Sequence, residues 1–186
     1  DALIRENQVL QEEVRRLQRV GRLLDYQERE GIKTLVATIV GRDATQWVKA
    51  VYIDKGSRDG VRENLAVVTN AGVVGHVVQA GLTSSKVLLM VDRRSAIDSI
   101  FQQSRVPGIV VGAGEGICEM KYVPITANVQ KGDWVLSSGL GSLFPKGLVV
   151  GHVSKVSKSK QGLFQEIEIL PNADLARLEE VLVLLS

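Results

Sequence analysis

Few residues in this chain could do chemistry: among 186 positions there are two histidines, His76 and His152, and one cysteine, Cys118. Nucleophilic hydrolysis needs a serine or cysteine, a histidine base and an orienting carboxylate brought together. Both histidines instead follow a glycine inside Val-rich segments, Val73-Val74-Gly75-His76-Val77 and Val149-Val150-Gly151-His152-Val153. That context is expected of side chains packed on strands or facing solvent. No Gly-x-Ser-x-Gly elbow occurs, and the nearest approach is Ser137-Ser138-Gly139-Leu140-Gly141. Two histidines so far apart, with a single cysteine, match no metal-ligand spacing. Gly139-Leu140-Gly141 follows an apolar run without opening a helical period, so it reads as a turn and not as a nucleotide loop. No catalytic, cofactor-binding or metal-ligating residue is expected, and no cofactor.

Charge and composition narrow the partners. Twenty-three Lys and Arg against 21 Asp and Glu leave a net +2, and no basic block is long enough to track a phosphate backbone, which argues against nucleic acid. Asp92-Arg93-Arg94 and the stretch Lys155 to Lys160 are small basic clusters expected in solvated loops. With 45% hydrophobic residues the chain is a folded one, and Cys118 alone excludes an intrachain disulfide framework. It opens on Asp1 and has no run near the roughly 18–20 apolar residues of a membrane span, so it is expected to be the soluble portion of something longer.

Two kinds of element must carry these residues. From Asp1 to Glu30 there is no Pro, and Leu3, Leu10, Leu17 and Leu24 recur every seven residues. With these at d, the a positions hold Asn7, Val14 and Gly21, an apolar seam with one polar and one weak member. An amide at a is satisfied by its mate across a dimer axis, so Leu3, Asn7, Leu10, Val14, Leu17 and Leu24 are the expected dimerisation residues. The alternative is a single amphipathic helix laid on the chain's own globular part. Beyond Gly31 the period changes to two. About eleven short apolar runs are divided by turn signals such as Lys55-Gly56-Ser57-Arg58-Asp59-Gly60, with Cys118, Met120 and Tyr122 sharing one face and Gln165, Ile167 and Ile169 another. Only Asn172 to Glu180 reads as a second short helix. The fold class is mainly β: an N-terminal coiled-coil helix followed by two small antiparallel barrels. An internal repeat supports the pair, since Lys55-Gly56 and Val73 to Val77 recur as Lys131-Gly132 and Val149 to Val153 at one constant offset.

The motifs in order resemble a known family: Arg5-Glu6-Asn7 in the heptads, Asp54-Lys55-Gly56-Ser57, Gly72-Val73-Val74-Gly75-His76, Ser138-Gly139-Leu140-Gly141 followed by Phe144-Pro145-Lys146-Gly147, and Pro171-Asn172-Ala173-Asp174-Leu175. Together they resemble the MreC family of bacterial rod shape-determining proteins. The resemblance implies a non-enzymatic, membrane-anchored scaffold of the cell-elongation machinery on the periplasmic face of the cytoplasmic membrane. Such a scaffold dimerises and links the cytoskeletal protein MreB and the membrane protein MreD to penicillin-binding transpeptidases that build peptidoglycan, so maintaining rod shape. The family's membrane anchor has no counterpart here. It further implies a barrel of residues 31–55 and 123–186 interrupted by an inserted barrel of residues 56–122, after the helix of residues 1–30. Two other classes compete: an efflux-type periplasmic adaptor, which needs a helical hairpin, and a protease-like double-barrel hydrolase, which needs converging Ser, His and Asp. For a scaffold, strand edges left unpaired could accept a neighbour's strand.

Overall fold

The computed structural model describes residues 2–30, 32–45, 49–141, 143–158 and 162–185, with the backbone alone for 19–30 and 44. Helix α1 (Ala2–Glu30) precedes twelve strands: β1 (Thr34–Ala44), β2 (Lys49–Ile53), β3 (Ala66–Thr69), β4 (Gly72–Ala80), β5 (Ser85–Leu89), β6 (Ala96–Phe101), β7 (Pro107–Gly114), β8 (Ile117–Lys121), β9 (Trp134–Ser137), β10 (Val149–Lys158), β11 (Gln165–Pro171) and β12 (Glu180–Leu184). Short Val- and Ile-rich runs fit a pleated surface, and closing them into barrels satisfies every ladder without a helical layer. Two closed antiparallel barrels result. The first runs β1-β12-β3-β4-β5-β2 and the second β10-β11-β8-β7-β6-β9. Because both are closed, every strand has two neighbours along part of its length, and one-sided pairing is confined to strand ends such as residues 155–158 of β10, which pair with β11.

The division between barrels differs from the expected one. Strand β12 pairs with β1 from Thr34↔Leu184 to Thr38↔Glu180, and β3 to β5 close that same barrel, so it holds residues 34–89 and 180–184. The inserted barrel spans 96–171 rather than 56–122, since β8 pairs with β11 through Ile167↔Met120 and Ile169↔Cys118. Short Val-rich strands look alike locally, and only register and packing select their mates.

Other expectations change for local reasons. Strand β6 lies outside the eleven runs because Asp98 and Ser99 interrupt its apolar pattern, although Ile97, Ser99 and Phe101 are all buried. The segment Asn172 to Glu180 forms one 3-10 turn, Leu175–Arg177, before β12 begins. Tyr122 does not share the face of Cys118 and Met120. Strand β8 ends at Lys121, and Tyr122 turns into the left-handed region at φ +67° with its ring exposed.

The internal repeat is a structural duplication. Counted from β3, the first barrel has the same cyclic order as the second counted from β9, so each consists of two three-strand units, β3-β4-β5 with β12-β1-β2, and β9-β10-β11 with β6-β7-β8. Strands β4 and β10 are the middle strands of their units. His76 stands opposite Ala66 and Leu88, and His152 opposite Trp134 and Leu170. Ladder irregularities fall at matching places, around Val74 and Val150 and again between Val77 and Gln79 and between Val153 and Lys155. The lone carbonyls of Val74 and Val150 accept from Met90 N–H and Asn172 N–H at 2.9 and 3.3 Å. The match of Lys55-Gly56 with Lys131-Gly132 is not part of it. Gly132 N–H donates to Val153 as Asn64 N–H donates to Val77, so ahead of the middle strand the equivalent of Gly132 is Asn64, and the β9–β10 connection is the longer one.

The two barrels share one apolar cluster, in which β4 packs near β10. Asn172 Nδ2 donates to Ala71 O at 2.6 Å, tying the end of β11 to the β3–β4 turn. Across the same seam Gly72, at φ +147°, lies so close that an added Cβ would fall 2.4 Å from Val149 O.

Candidate interaction surfaces

Helix α1 presents its seam to water. Leu3, Leu10, Val14 and Leu17 are 69%, 56%, 51% and 60% exposed, and Asn7 is exposed among them. The side chain of Leu24 lies outside the described residues. Along the helix the described seam from Leu3 to Leu17 covers about 21 Å at 1.5 Å per residue. The helix touches the first barrel at β1 and β12, and Arg16 Nε stands 3.7 Å from Glu180 Oε1. That ion pair uses a charged residue outside the seam, and Leu3, Leu10 and Leu17 are not spent on the chain's own barrel.

The residues considered for catalysis are dispersed and committed to structure. His76 on β4 packs edge-on to Phe144 at 6.4 Å, and His152 on β10 packs on Trp134 at 5.6 Å. Both Nδ1 atoms are buried without a hydrogen-bond partner, so neither ring is oriented by a carboxylate or engaged with a hydroxyl through that atom. Burial holds the His76 pKa below its ordinary value. Ser137, the best serine of the glycine-rich motif, is fully buried. Its hydroxyl donates to Pro145 O and accepts from Leu148 N–H at 2.9 Å, folding the connection from Ser138 to Gly147 back onto the barrel. Cys118 donates to Met90 O at 3.4 Å, and burial pushes its thiol up to about 12, far from the thiolate needed for attack. Among the described residues no group of three or more His, Cys, Asp and Glu could hold a metal ion.

Asp92 is a structural residue and not part of a solvated basic loop. It is buried in the crossover between β5 and β6, and its carboxylate accepts from Lys49 N–H at 2.9 Å, Arg94 N–H at 2.8 Å and the Arg94 guanidinium at 3.0 and 3.2 Å. Burial works to raise its pKa, but the hydrogen bonds from Arg94 and Lys49 and the guanidinium charge outweigh it, so the carboxyl stays below the usual range. The other basic cluster is not a loop over its first four residues, since Lys155 to Lys158 lie on β10, and residues 159 and 160 lie outside the described residues.

An apolar patch on the second barrel escapes sequence periodicity altogether. Tyr122 and Phe164 meet edge to face at 5.8 Å, and both are exposed, as are Leu163 and Leu140, the last 81% exposed at the tip of the Ser138–Gly147 connection. Tyr122 and Leu140 also line a shallow concavity of about 320 Å³ over Pro107 and Ile109. Left-handed backbone at a tyrosine costs about 1–3 kcal/mol and recurs where a surface is used. Tyr122 keeps the apolar phase of Cys118 and Met120, so period-two counting placed it on their face.

These features define a class: an exposed heptad helix joined to two duplicated six-stranded barrels, one inserted in the other. Residues 39–185 match the family model described as "Rod shape-determining protein MreC, barrel core". The chain belongs to the MreC family. The cell shape-determining protein MreC of Listeria monocytogenes is 37% identical over 155 residues, covering 81% of this chain and 52% of that protein. The chain spans about half the length of the curated relatives it matches. A solved MreC structure superposes with a TM-score of 0.87 at 31% identity, over 92% of this chain and 98% of the other. Two more distant structures share the fold: a major periplasmic domain of MreC, 24% identical with a TM-score of 0.70 over 81% of this chain and 94% of the other, and a complex between penicillin-binding protein PBP2 and MreC from Helicobacter pylori, 19% identical with a TM-score of 0.63 over 83% of this chain and 100% of the other.

Proposed function

We propose that this chain is a non-enzymatic scaffold of the cell-elongation machinery, on the periplasmic face of the bacterial cytoplasmic membrane. Its helix dimerises through Leu3, Asn7, Leu10, Val14, Leu17 and Leu24, and its second barrel docks a penicillin-binding transpeptidase, coupling peptidoglycan synthesis to MreB and MreD. The observation that carries this reading is the helical seam, where Leu3, Leu10, Val14 and Leu17 stand more than half exposed in a single chain while the barrels carry their own core. A second copy would bury that stripe, and tethering two barrel pairs raises the local concentration of weak barrel contacts. For the transpeptidase the supporting surface is the patch of Tyr122, Leu140, Leu163 and Phe164, aromatic anchors of the kind that dominate binding energy. The relatives' naming as cell shape-determining and the existence of a PBP2 complex in a distant relative support it.

One experiment on two variants tests both halves. Leu10→Glu with Leu17→Glu is expected to convert a dimer to a monomer in sedimentation equilibrium while leaving capture of a soluble transpeptidase domain intact. Tyr122→Ala with Phe164→Ala is expected to keep the dimer and lower that capture at least tenfold, about 1.4 kcal/mol. An unchanged dimer mass in the first variant, or unchanged capture in the second, overturns the corresponding half.

A further inference from the structure

On the second barrel, the β6–β7 turn and the segment leading into β9 enclose a concavity of about 540 Å³. That size lies in the range of small-molecule sites, roughly 300–1,000 Å³. One wall carries Gln102 and Gln103, the other Asn128, Gln130 and Asp133, and Trp134 stands at the junction, where Gln102 N–H donates to its carbonyl at 2.9 Å. All four amide side chains are exposed, and none makes a hydrogen bond to another described residue. Asp133 uses one carboxylate oxygen on Gln130 N–H at 2.9 Å.

The indole packs one edge on His152, yet it is larger than the fold requires at that rung. In the duplicated unit the position equivalent to Trp134 is Ala66, opposite His76 as Trp134 is opposite His152, and Ala66 is 2% exposed against 43% for Trp134. A methyl group suffices for the ladder at that rung, yet this unit carries the largest side chain available and leaves it in the groove.

We propose that this groove binds a neutral saccharide. A pyranose ring has an apolar face of C–H groups that packs on an indole, and a rim of hydroxyl and acylamino groups that both donate and accept. Gln and Asn amides do both as well, and a carboxylate accepts, so the rim is matched without charge. No Lys, Arg or His lines the groove and one Asp does, which disfavours phosphate or other anionic ligands. A protein partner would call for a broad apolar anchor, whereas here one aromatic group is ringed by amides. This site shares no residue with the concavity beside Tyr122, so the inference stands apart from the transpeptidase reading.

The test titrates the chain with tetra-N-acetylchitotetraose and with cellotetraose, following the Trp134 indole N–H by nitrogen-15 NMR. A saturable shift with at least one saccharide is expected. The affinity should fall at least about fivefold in Gln102→Ala with Gln130→Ala, about 1 kcal/mol, and further in Trp134→Ala. Because Trp134 also packs on His152, the amide variant, whose side chains are exposed, decides if the tryptophan variant folds poorly. Absence of a saturable shift with either saccharide at 10 mM (roughly the limit of about 3 kcal/mol of binding) overturns the proposal. So does unchanged affinity in the amide variant, or saturation by a neutral N-acetylated, C-amidated Gly-Ser-Asn-Gly peptide where both saccharides fail.

Discussion

His76 shows what burial does to a titratable side chain with no partner. Its Nδ1 is buried and unsatisfied, and loss of hydration disfavours the imidazolium, so the folded pKa lies below the ordinary 6.5. The unfolded chain therefore binds the proton more readily. The stabilising contribution is fully present above pH 6.5 and is lost as the pH falls from there through the folded value. Unfolding free energy should decline between pH 7 and pH 5, by at most about 1.4 kcal/mol per pH unit from this group. His76→Gln should flatten that slope in urea titrations at several pH values, and an equal slope in both proteins contradicts the assignment. Asp92 acts lower, since its depressed carboxyl loses its contribution only below the ordinary carboxylate value of 3.8. That both histidines are packing residues was legible from the Val-Gly-His-Val context. That His76 meets Phe144 of the other barrel was not, because the contact spans two barrels whose docking no local pattern encodes.

At the scale of elements, the two middle strands make matching demands. A Cβ on Gly75 would fall 1.9 Å from Leu88 O, and one on Gly151 would fall 2.1 Å from Leu170 O. In each case the obstacle is the backbone of the next strand, which cannot turn aside as a side chain can. Gly75→Ala and Gly151→Ala should each destabilise the protein by about 2–3 kcal/mol, with similar values because the two positions are equivalent. Urea unfolding measures this, and a loss below about 0.5 kcal/mol at either position would show that the close approach is not rigid. The shared Val-Val-Gly-His-Val segment made this equivalence readable from sequence. The ladder irregularities at Val74 and Val150 were not, since an unpaired strand residue is decided by its neighbour's register. The helix was the most readable element, because a sevenfold leucine spacing depends only on the helix's own period.

For the whole molecule, insertion couples the barrels. The chain enters the first barrel with β1, leaves after β5 to build the whole second barrel, and returns with β12, which closes the first. The first barrel cannot be completed until the inserted one brings its two chain ends together, and both contribute to one apolar cluster. The amides of β4 and β10 should therefore exchange hydrogen with the same largest free energy of opening. Asn172→Ala, which removes the 2.6 Å bond to Ala71 O, should lower both by about 1–2 kcal/mol. Two distinct plateaus, one per barrel, would show that the barrels unfold independently.

The sequence by itself determined the helix and its apolar seam, the all-β character of the rest, the glycine-bounded turns, the echo between β4 and β10 and the family to which the chain belongs. Each of these is written in local spacing or in motifs read in order. Only the tertiary structure decided which strands close which barrel, the boundaries at 34–89 with 180–184 and at 96–171, the exposure of Tyr122 and the groove beside Trp134. The reason is physical. A Val-rich strand carries its period in its own residues, but its mate, its register and the side chains it leaves in water depend on segments up to about a hundred residues away, as Asn172 and Ala71 are.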